Sequence, residues 1–383
     1  MNILHTSDLH IGKRLMDRDR LPEQIEALDE IVSICERENV SLVLIAGDVF
    51  DTYLPPAEAE EVFFRAVKKL AAEDRAVVIV SGNHDDGVRL SAAAPLAEEQ
   101  GVYIYGNRPR TFKTGGSRLV KAVEAGENWI VIEDRNGEKV YINALPYPNE
   151  ARLKEDKTEE SFSEKMARWI GRGEEGYRGD MPHILLTHLF VAGGRTSESE
   201  RNIDLGGARA VPLSVMPEKG YVALGHLHRK QKIGNAYYSG SILQYSFDEA
   251  NAEKGVMLLK TEGTEIKEIS EIPLTAGKHL VRLECNSVEE ALKLLPQYDG
   301  CYIELTLHLK EPLLSQETKT LLDANEGLVS LIPCVQTGET ITFQSRAAMD
   351  SKQLFTEYYR SLYGEEPKED LLAAFLELTE ETE

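Results

Sequence analysis

A short apolar run followed directly by metal-binding side chains occurs five times in this sequence and constrains its fold more than any other feature. Each run is long enough for a buried β-strand and too short for a buried helix. The runs cover residues 2–5, 42–46, 77–80, 184–186 and 221–224. Four intervening segments have helical spacing of their apolar residues, namely 21–38, 57–72, 89–100 and 158–172. This alternation of strands and helices predicts an α/β fold.

The polar residues that follow the strands are all of types that bind metal ions. They are Asp8, His10, Asp48, Asn83, His84, His188, His226 and His228. Each has an ordinary alternative, since Asp after Gly is common in turns and His near a strand end is commonly a hydrogen-bonded structural residue. Their conjunction favours a site, because the carboxyl ends of parallel strands meet at one edge of a sheet.

The types of ligand indicate the chemistry of the predicted site. Carboxylate, imidazole and amide oxygen without thiolate suit Mn²⁺, Fe²⁺, Zn²⁺ or Mg²⁺. The seven candidates Asp8, His10, Asp48, Asn83, His188, His226 and His228 are enough to hold two ions. A carboxylate such as Asp48 can bridge two ions about 3.5–4 Å apart, the arrangement of hydrolases that cleave phosphate esters.

Composition limits the setting and raises one question about the substrate. The four cysteines contain no CxxC pair, so we expect neither a disulfide framework nor a cysteine zinc site. The first ten residues are too polar for a signal peptide, and no apolar run approaches the ~20 residues of a membrane span, so we expect a reducing, cytoplasmic setting. The net charge of −22 argues against nucleic-acid binding, but bound metal ions can reverse the local field.

The pattern of apolar and charged residues changes after about residue 275. Residues 276–345 read as a small β-α-β-α-β domain, with a capping box from Ser287 to Glu290 and strict alternation from Cys301 to Leu309. Residues 346–383 carry ten acidic and four basic residues and predict two amphipathic helices. These helices either pack on their own domain or bind a partner. Residues 1–275 form the predicted catalytic domain.

The motifs D-x-H, GDVFD, GNHD, TH and GHLH together resemble those of the calcineurin-like metallophosphoesterases. The segments SDLHIGKRL, GDVFDTYLPP and SGNHD, with the layout of the whole chain, narrow the resemblance to the branch of bacterial SbcD-type nuclease subunits in double-strand-break repair. The resemblance implies a four-layer α/β/β/α sandwich with a small α+β capping domain and a helical C-terminal tail.

The resemblance also implies how the site residues divide. One metal ion would be held by Asp8, His10, Asp48 and His228, and the other by Asp48, Asn83, His188 and His226. His84 would donate a proton to the leaving 3′ oxygen or stabilise the charge that develops there, and it would be held by Asp85. Archaeal relatives use a second His after the bridging Asp, where this sequence has Asp51 and Thr52. The family uses two divalent ions, usually Mn²⁺ with Mg²⁺ possible, to hydrolyse DNA phosphodiesters.

Partners follow from the same resemblance. The implied substrates are DNA ends, hairpins and single strands, and the implied protein partner is an SbcC-type ATPase bound through the C-terminal helices. The helices after the GDVFD and GNHD motifs would form a homodimer within a heterotetramer. The apolar residues of that face would be Val62, Phe63, Val67 and Leu70, which could equally pack on their own sheet.

Four cationic residues lie near the first loop, namely Lys13, Arg14, Arg18 and Arg20. They would either contact DNA or belong to an ordinary solvated loop. The Gly-rich segment 193–211 would line the DNA entrance. Two other interpretations remain open at this point. One is a phosphatase or cyclic-nucleotide phosphodiesterase on the same scaffold, and the other is a subunit that bridges DNA ends without cutting.

Overall fold

The computed structural model describes residues 1–149, 160–197, 200, 210–335 and the single residues 355, 356, 359, 367, 371 and 372. Its strands are β1 (Asn2–Thr6), β2 (Arg14–Leu15), β3 (Arg18–Asp19), β4 (Leu42–Ala46), β5 (Ala76–Val80), β6 (Val102–Tyr105), β7 (Lys121–Ala125), β8 (Trp129–Glu133), β9 (Lys139–Leu145), β10 (His183–His188), β11 (Tyr221–Gly225), β12 (Gln231–Ile233), β13 (Ala236–Tyr238), β14 (Gly255–Glu262), β15 (Glu265–Pro273), β16 (Leu280–Cys285), β17 (Tyr302–Leu309) and β18 (Leu328–Val335). Its α-helices are α1 (Leu21–Arg37), α2 (Ala57–Ala71), α3 (Gly87–Leu90), α4 (Ala94–Ala97), α5 (Phe162–Arg172), α6 (Val288–Leu294) and α7 (Ser315–Ala324).

Two large mixed sheets form the centre of the protein. The first has six strands in the order β15-β14-β1-β4-β5-β6, and its strands β1, β4, β5 and β6 are parallel. The second has seven strands in the order β12-β13-β11-β10-β9-β8-β7, with β9, β10, β11 and β13 parallel. The five strands predicted from the sequence are all present, with bounds that differ by at most two residues.

The packing of the sheets explains why the central strands are apolar on both faces. Every residue of β4 and β5 is buried, because helices cover one face of the first sheet and the second sheet covers the other. Helix α5 packs Met166, Trp169 and Ile170 on the outer face of the second sheet, in a separate apolar cluster with Leu185 and Leu224. The layers are therefore α/β/β/α, which confirms the predicted sandwich.

The prediction of one continuous helix over residues 89–100 is wrong. Helices α3 and α4 are one turn each, and a 3₁₀ turn follows at Glu98–Gln100. Pro95 has no backbone N–H, so it cannot donate to the carbonyl of Ser91, and a continuous helix is interrupted there. The hydroxyl of Ser91 donates a hydrogen bond to the carbonyl of Gly87 at 2.7 Å.

The small three-stranded sheet has the order β16-β17-β18, with β16 and β17 parallel and with α6 and α7 between its strands. Ile303, Leu305 and Leu307 are buried, as the alternation in the sequence predicts. The hydroxyl of Ser287 accepts from the backbone N–H of Glu290, so Ser287 caps helix α6.

The chain divides into two compact units, one of residues 1–308 with 313–333 and the other of residues 309–312 with 334–383. The first unit contains both large sheets and most of the small one. The domain boundaries at residues 275 and 345 stay a prediction, and the two helices predicted in 346–383 lie outside the described residues apart from single positions. Among the described residues, no helix has the length and apolar character needed to cross a bilayer.

Candidate metal centre

The seven predicted ligands meet at one edge of the two sheets, where the parallel strands end. Asp8 and His10 follow β1, Asp48 follows β4 and Asn83 follows β5. The other three ligands come from the second sheet, with His188 at the end of β10 and with His226 and His228 just after β11. All of these side chains are buried except that of Asn83, which is half-buried.

Several ligands stand on strained backbone. The φ angles are 51° at Asp8, 44° at His10, 45° at Asp48 and 104° at His226, in the left-handed region that residues with a side chain rarely adopt. Hydrogen bonds between the loops hold this conformation, since the N–H of Asp8 donates to Gly47 at 3.1 Å and that of His10 donates to Asp48 at 3.0 Å. Strain concentrated at these positions is typical of functional sites.

Three glycines let the loops approach closely enough to bring the ligands together. A Cβ at Gly47, where φ is 81°, would lie 2.3 Å from Nδ1 of His188. A Cβ at Gly82 would lie 2.1 Å from Oδ1 of Asp48, and one at Gly225 would lie 1.8 Å from a backbone oxygen. The Gly before each ligand in GD, GNHD and GHLH is therefore required by space, and at Gly47 also by conformation.

One half of the centre contains two imidazole nitrogens that face each other. Nε2 of His10 lies 2.9 Å from Nε2 of His228. Nδ1 of His10 is 3.3 Å from a carboxylate oxygen of Asp51, and Nδ1 of His228 is 3.5 Å from a carboxylate oxygen of Glu249. Because carboxylates only accept, a proton on each Nδ1 would face a carboxylate and would leave a lone pair on each Nε2. The two Nε2 atoms, 2.9 Å apart, can then share either a proton or a metal ion.

In the other half of the centre, ring nitrogens of His188 and His226 face oxygen atoms. Oδ1 of Asn83 lies 2.8 Å from Nε2 of His188 and 2.9 Å from Nδ1 of His226. Nδ1 of His188 donates to the backbone oxygen of Ala46 at 2.8 Å, so its Nε2 is the nitrogen left to carry a proton or to bind an ion. A carboxylate oxygen of Asp48 lies 3.3 Å from that Nε2. Among the described residues Nε2 of His188 therefore faces these two oxygens, which either an imidazolium proton or a divalent ion satisfies.

The ionisation of the centre supports the same interpretation. Burial lowers the pKa of both His10 and His226 to about 3, so both are neutral and able to act as ligands. Burial alone would lower the pKa of His188, but the carboxylate of Asp48 outweighs it and raises that pKa to about 9. His188 in turn holds the pKa of Asp48 well below its usual range, against the effect of burial. A positive charge is therefore favoured beside Asp48.

Among the described residues, three groups of ligand atoms each lie within 4.8 Å of one another, namely those of Asp8, His10 and His228, of Asp8, Asp48 and His188, and of His10, Asp48 and His84. The first group falls within one predicted ligand set, the second has members of both sets, and the third includes His84, so the division of the ligands stays a prediction. Asp48 belongs to two of these groups, as do Asp8 and His10, which suits ions that lie close together. Oxygen and imidazole donors without sulfur suit a divalent metal ion such as Mn²⁺ or Mg²⁺.

His84 lies beside the ligands with one ring nitrogen fixed and the other free. Its Nδ1 is 2.7 Å from the backbone oxygen of Asp51, and its backbone N–H donates to Asp48 at 2.9 Å. Its Nε2 is buried without a hydrogen-bond partner among the residues that the structure describes. Because a carbonyl only accepts, Nδ1 is protonated, and Nε2 can donate a proton only when the ring is an imidazolium.

The expected pairing of Asp85 with His84 requires correction. The buried carboxylate of Asp85 accepts the backbone N–H groups of Val49 at 3.2 Å, Phe50 at 3.0 Å and Gly82 at 2.8 Å. Burial raises its pKa to about 6. Asp85 therefore ties the loop after β5 to the loop after β4, and the contact that orients the His84 ring comes from the Asp51 carbonyl instead.

Two further expectations change in the structure. Arg20 is fully buried and its guanidinium pairs with the carboxylate of Glu23 at 2.8 and 2.9 Å, so it cannot contact DNA. Lys13 pairs with Asp51 at 2.8 Å, beside the centre.

The apolar residues of α2 assigned to a dimer face all belong to the core under the helix, and they are Val62, Phe63, Val67 and Leu70. Segment 193–211 lies largely outside the described residues.

The sequence did not indicate the residues that support His228. Glu249 is fully buried, faces Nδ1 of His228 and forms an ion pair with Lys254. Burial would raise the pKa of Glu249, but Lys254 and His228 hold it well below its usual range. The ammonium of Lys254 also donates to the backbone oxygen of His228 at 2.8 Å. The backbone N–H of His228 donates to the carboxylate of Glu200. With 65 acidic residues in the chain, nothing in the spacing of Glu249 or Glu200 distinguishes them.

Comparison with known proteins identifies the family of the chain. Residues 1–230 match the model of the family described as calcineurin-like phosphoesterase. The chain is 35% identical over 400 aligned residues to the D component of the nuclease SbcCD from Bacillus subtilis, covering 99% of this chain and 97% of that protein. It is 28% identical over 325 residues to the protein of the same name from Staphylococcus epidermidis, covering 82% of each chain.

A crystal structure of a dimetal phosphatase from Danio rerio aligns with 72% of this chain and 99% of its own, at 12% identity and a TM-score of 0.38. The match to the family model and to the Bacillus relative confirms the resemblance read from the motifs. The chain belongs to the calcineurin-like phosphoesterase family, in the branch of the SbcD-type proteins.

Proposed function

We propose that this chain is the nuclease subunit of an SbcCD-type complex and hydrolyses DNA phosphodiesters with two divalent metal ions. The observation that carries the proposal is the approach of Nε2 of His10 to Nε2 of His228, 2.9 Å apart and beside Asp8 and Asp48. The relatives named as nucleases align with most of the chain, which supports a nuclease rather than a phosphatase.

We propose the predicted division of ligands for the two ions. One set is Asp8, His10, Asp48 and His228, and the other is Asp48, Asn83, His188 and His226. When bound there, divalent ions activate a water molecule and neutralise charge on the phosphate, and Mn²⁺ is the ion we propose, with Mg²⁺ as the substitute. The protein supplies fixed donors, because the loops that carry them are strained and closely packed.

We assign the proton transfer to His84. In the reaction the oxygen of water forms a bond to phosphorus and water releases one proton to solvent, while the bond from phosphorus to the 3′ oxygen breaks and its electron pair stays on that oxygen. The imidazolium of His84 then gives the proton on Nε2 to the leaving 3′ oxygen. The Asp51 carbonyl fixes Nδ1 at 2.7 Å and so fixes the direction of the ring. Asp85 serves as a positioning residue, since it holds the backbone of the two loops that present Asp48 and His84.

For partners, we propose DNA ends, hairpins and single strands as substrates and an SbcC-type ATPase that binds residues 346–383. ATP hydrolysis by that partner would permit exonuclease action on duplex DNA, whereas single strands and hairpins would be cut as by an endonuclease. The complex would act at the nucleoid in the cytoplasm, in DNA repair, recombination and replication.

We also propose that the chain forms a homodimer through exposed apolar side chains near α2, α3 and α4. Phe64 is 44% exposed, Val88 45% and Leu96 74%, and all three lie on helices that follow the loops of Asp48 and Asn83. An ion pair of 2.7 Å between Arg89 and Glu60 joins α3 to α2. Exposed side chains of this size on neighbouring helices suit an interface.

A single assay tests the proposal against its alternatives. Purified protein is incubated with Mn²⁺ and either a linear duplex with blocked ends, a hairpin, a single strand or a small phosphomonoester, with and without the ATPase and ATP. A nuclease cuts the single strand and hairpin alone and the duplex only with the partner and ATP. Hydrolysis confined to the phosphomonoester would indicate a phosphatase, and DNA binding without cleavage would indicate an end-bridging subunit.

A further inference from the structure

The loop that carries His10 has a backbone that its surroundings must hold in place. Its φ angles are 51° at Asp8, 44° at His10 and 94° at Gly12, so three alternate residues lie in the left-handed region. Residues with a side chain persist there only where the surrounding structure fixes them. On one side the loop after β4 does so, since the N–H of Ile11 donates to the carbonyl of Val49 at 2.9 Å. Two side chains, described next, hold the other side.

A single glutamine of helix α1 satisfies two backbone groups of this loop. The side chain of Gln24 is fully buried. Its Nε2 donates to the carbonyl of His10 at 2.8 Å, and its Oε1 accepts the N–H of Gly12 at 2.9 Å. Because a carbonyl only accepts and an N–H only donates, these partners fix which end of the amide is which. Gln24 therefore sets the orientation of the peptide groups on both sides of Ile11.

Tyr245 holds the preceding carbonyl and packs on two predicted ligand rings. It is buried, and its hydroxyl donates to the carbonyl of Leu9 and accepts from Nε2 of Gln24 at 3.3 Å. Its ring centroid lies 5.6 Å from that of His10 and 6.0 Å from that of His228, at interplanar angles of 76° and 65°. Such edge-to-face contacts are the favoured geometry for aromatic rings, so they restrict the tilt of both imidazoles.

The residues directly before these two side chains are fixed from outside the centre. Glu23 accepts a hydrogen bond from the hydroxyl of Tyr302 in β17 at 2.9 Å. Gln244 accepts one from the N–H of Leu280 in β16 at 2.7 Å. The supports of the His10 loop therefore belong to segments that are themselves bound to the small sheet, and they offer the loop a rigid frame.

We propose that Gln24 and Tyr245 are positioning residues for the metal ion between His10 and His228, and that the ion beside His188 does not depend on them. This inference rests on the proposed function. The polar atoms of both residues are used by backbone groups of the His10 loop, so they act through the ligands. His188 has a separate support, because its Nδ1 donates to the carbonyl of Ala46.

The test compares two variants of the supports with a matched control. Tyr245→Phe removes the hydroxyl and keeps the ring, and Gln24→Leu removes the amide at similar volume. The control is Tyr141→Phe, because Tyr141 is also buried and its hydroxyl also donates to a backbone carbonyl, that of Gly173, at 2.6 Å. Mn²⁺ is titrated by calorimetry into the metal-free whole chain. Anomalous scattering from crystals soaked in limiting Mn²⁺ shows which position is filled, and thermal melting without metal reports stability.

We expect one of the two Mn²⁺ ions to bind about 10–100-fold more weakly in each variant of the supports, as is typical when the partners of a ligand are removed. The anomalous peak between His10 and His228 should weaken while the peak beside His188 stays. The control should melt at a similarly lowered temperature but bind both ions normally. If one variant does not fold, the other decides. Normal affinity for both ions, or an equal loss for both, would overturn the inference.

Metal binding is measured apart from catalysis, so this inference and the proposed function can fail separately. If the unaltered protein binds two Mn²⁺ ions and does not cut DNA, the nuclease proposal fails and the binding data still decide the inference. Slow cleavage by Tyr245→Phe at limiting Mn²⁺ that saturating Mn²⁺ restores would support action through the metal ion. Slow cleavage that saturating Mn²⁺ does not restore, with normal binding of both ions, would contradict it.

Discussion

Replacing His84 with alanine should slow DNA cleavage by about 10²–10⁴-fold while both metal ions stay bound. This decrease corresponds to about 2.7–5.5 kcal/mol in the activation free energy. The hydrogen bond from His84 to Asp48 comes from the backbone N–H, which alanine retains. The side-chain hydrogen bond that alanine removes is that to the Asp51 carbonyl, which contributes about 0.5–1.5 kcal/mol to stability.

The assay measures single-turnover cleavage of a single-stranded oligonucleotide in Mn²⁺, beside metal content by elemental analysis. His308→Ala is the matched control, because His308 is a partly exposed histidine of the small sheet, 3.5 Å from Glu284. The control should keep both its rate and its metal. A normal cleavage rate in His84→Ala would refute its role as proton donor, and a loss of metal would show that the side chain acts as a ligand.

Four other changes test separate parts of the proposal. Asp48→Ala should lower the bound metal from two ions to one or none, and unchanged stoichiometry would contradict the bridging role. Glu249→Gln should weaken metal binding by about 10–100-fold in calorimetric titrations, because Glu249 orients the imidazole of His228; wild-type affinity would exclude that role. Leu96→Glu should convert the dimer into a monomer in analytical ultracentrifugation, and a persistent dimer would place the interface elsewhere. Deleting residues 350–383 should abolish co-purification with the ATPase but keep Mn²⁺-dependent cleavage of single strands, and continued co-purification would exclude docking by this segment.

The sequence could predict the centre because its chemistry is linked to local patterns. Each ligand follows a short apolar strand, and parallel strands in one sheet end at the same edge. The glycines of the same motifs are required by close approach, as at Gly47 and Gly225, so they too are local features. The division of ligands between two ions came from the resemblance to the family, and it stays a proposal.

Contacts between distant segments were beyond prediction, because they depend on how loops pack. The partners of Asp85 are three backbone N–H groups, which no side-chain pattern encodes. Arg20 lies in a run of charged residues that suggested a solvated loop, yet its partner Glu23 and its burial under Tyr302 remove it from solvent. Glu249 is one acidic residue among many, and only the fold brings it to His228.

For helix α2, the spacing of apolar residues predicts the helix but not which surface its apolar face contacts. The apolar stripe that includes Val62 and Phe63 correctly predicts an amphipathic helix, but the pattern does not distinguish a face that packs on its own sheet from one that binds a second copy. The side chains that could serve an interface, such as Phe64, lie outside the stripe. The distinction needs the exposure of each side chain, which only the packed structure provides.

The central claim is that side chains from five separate strand ends hold two metal ions that share Asp48. Anomalous scattering from a crystal grown with Mn²⁺, recorded at the manganese absorption edge, tests it most directly. Two peaks about 3.5–4 Å apart are expected, one between His10 and His228 and the other between His188 and Asn83, with Asp48 contacting both. A single peak, or peaks away from these side chains under saturating Mn²⁺, would contradict the proposed two-metal mechanism.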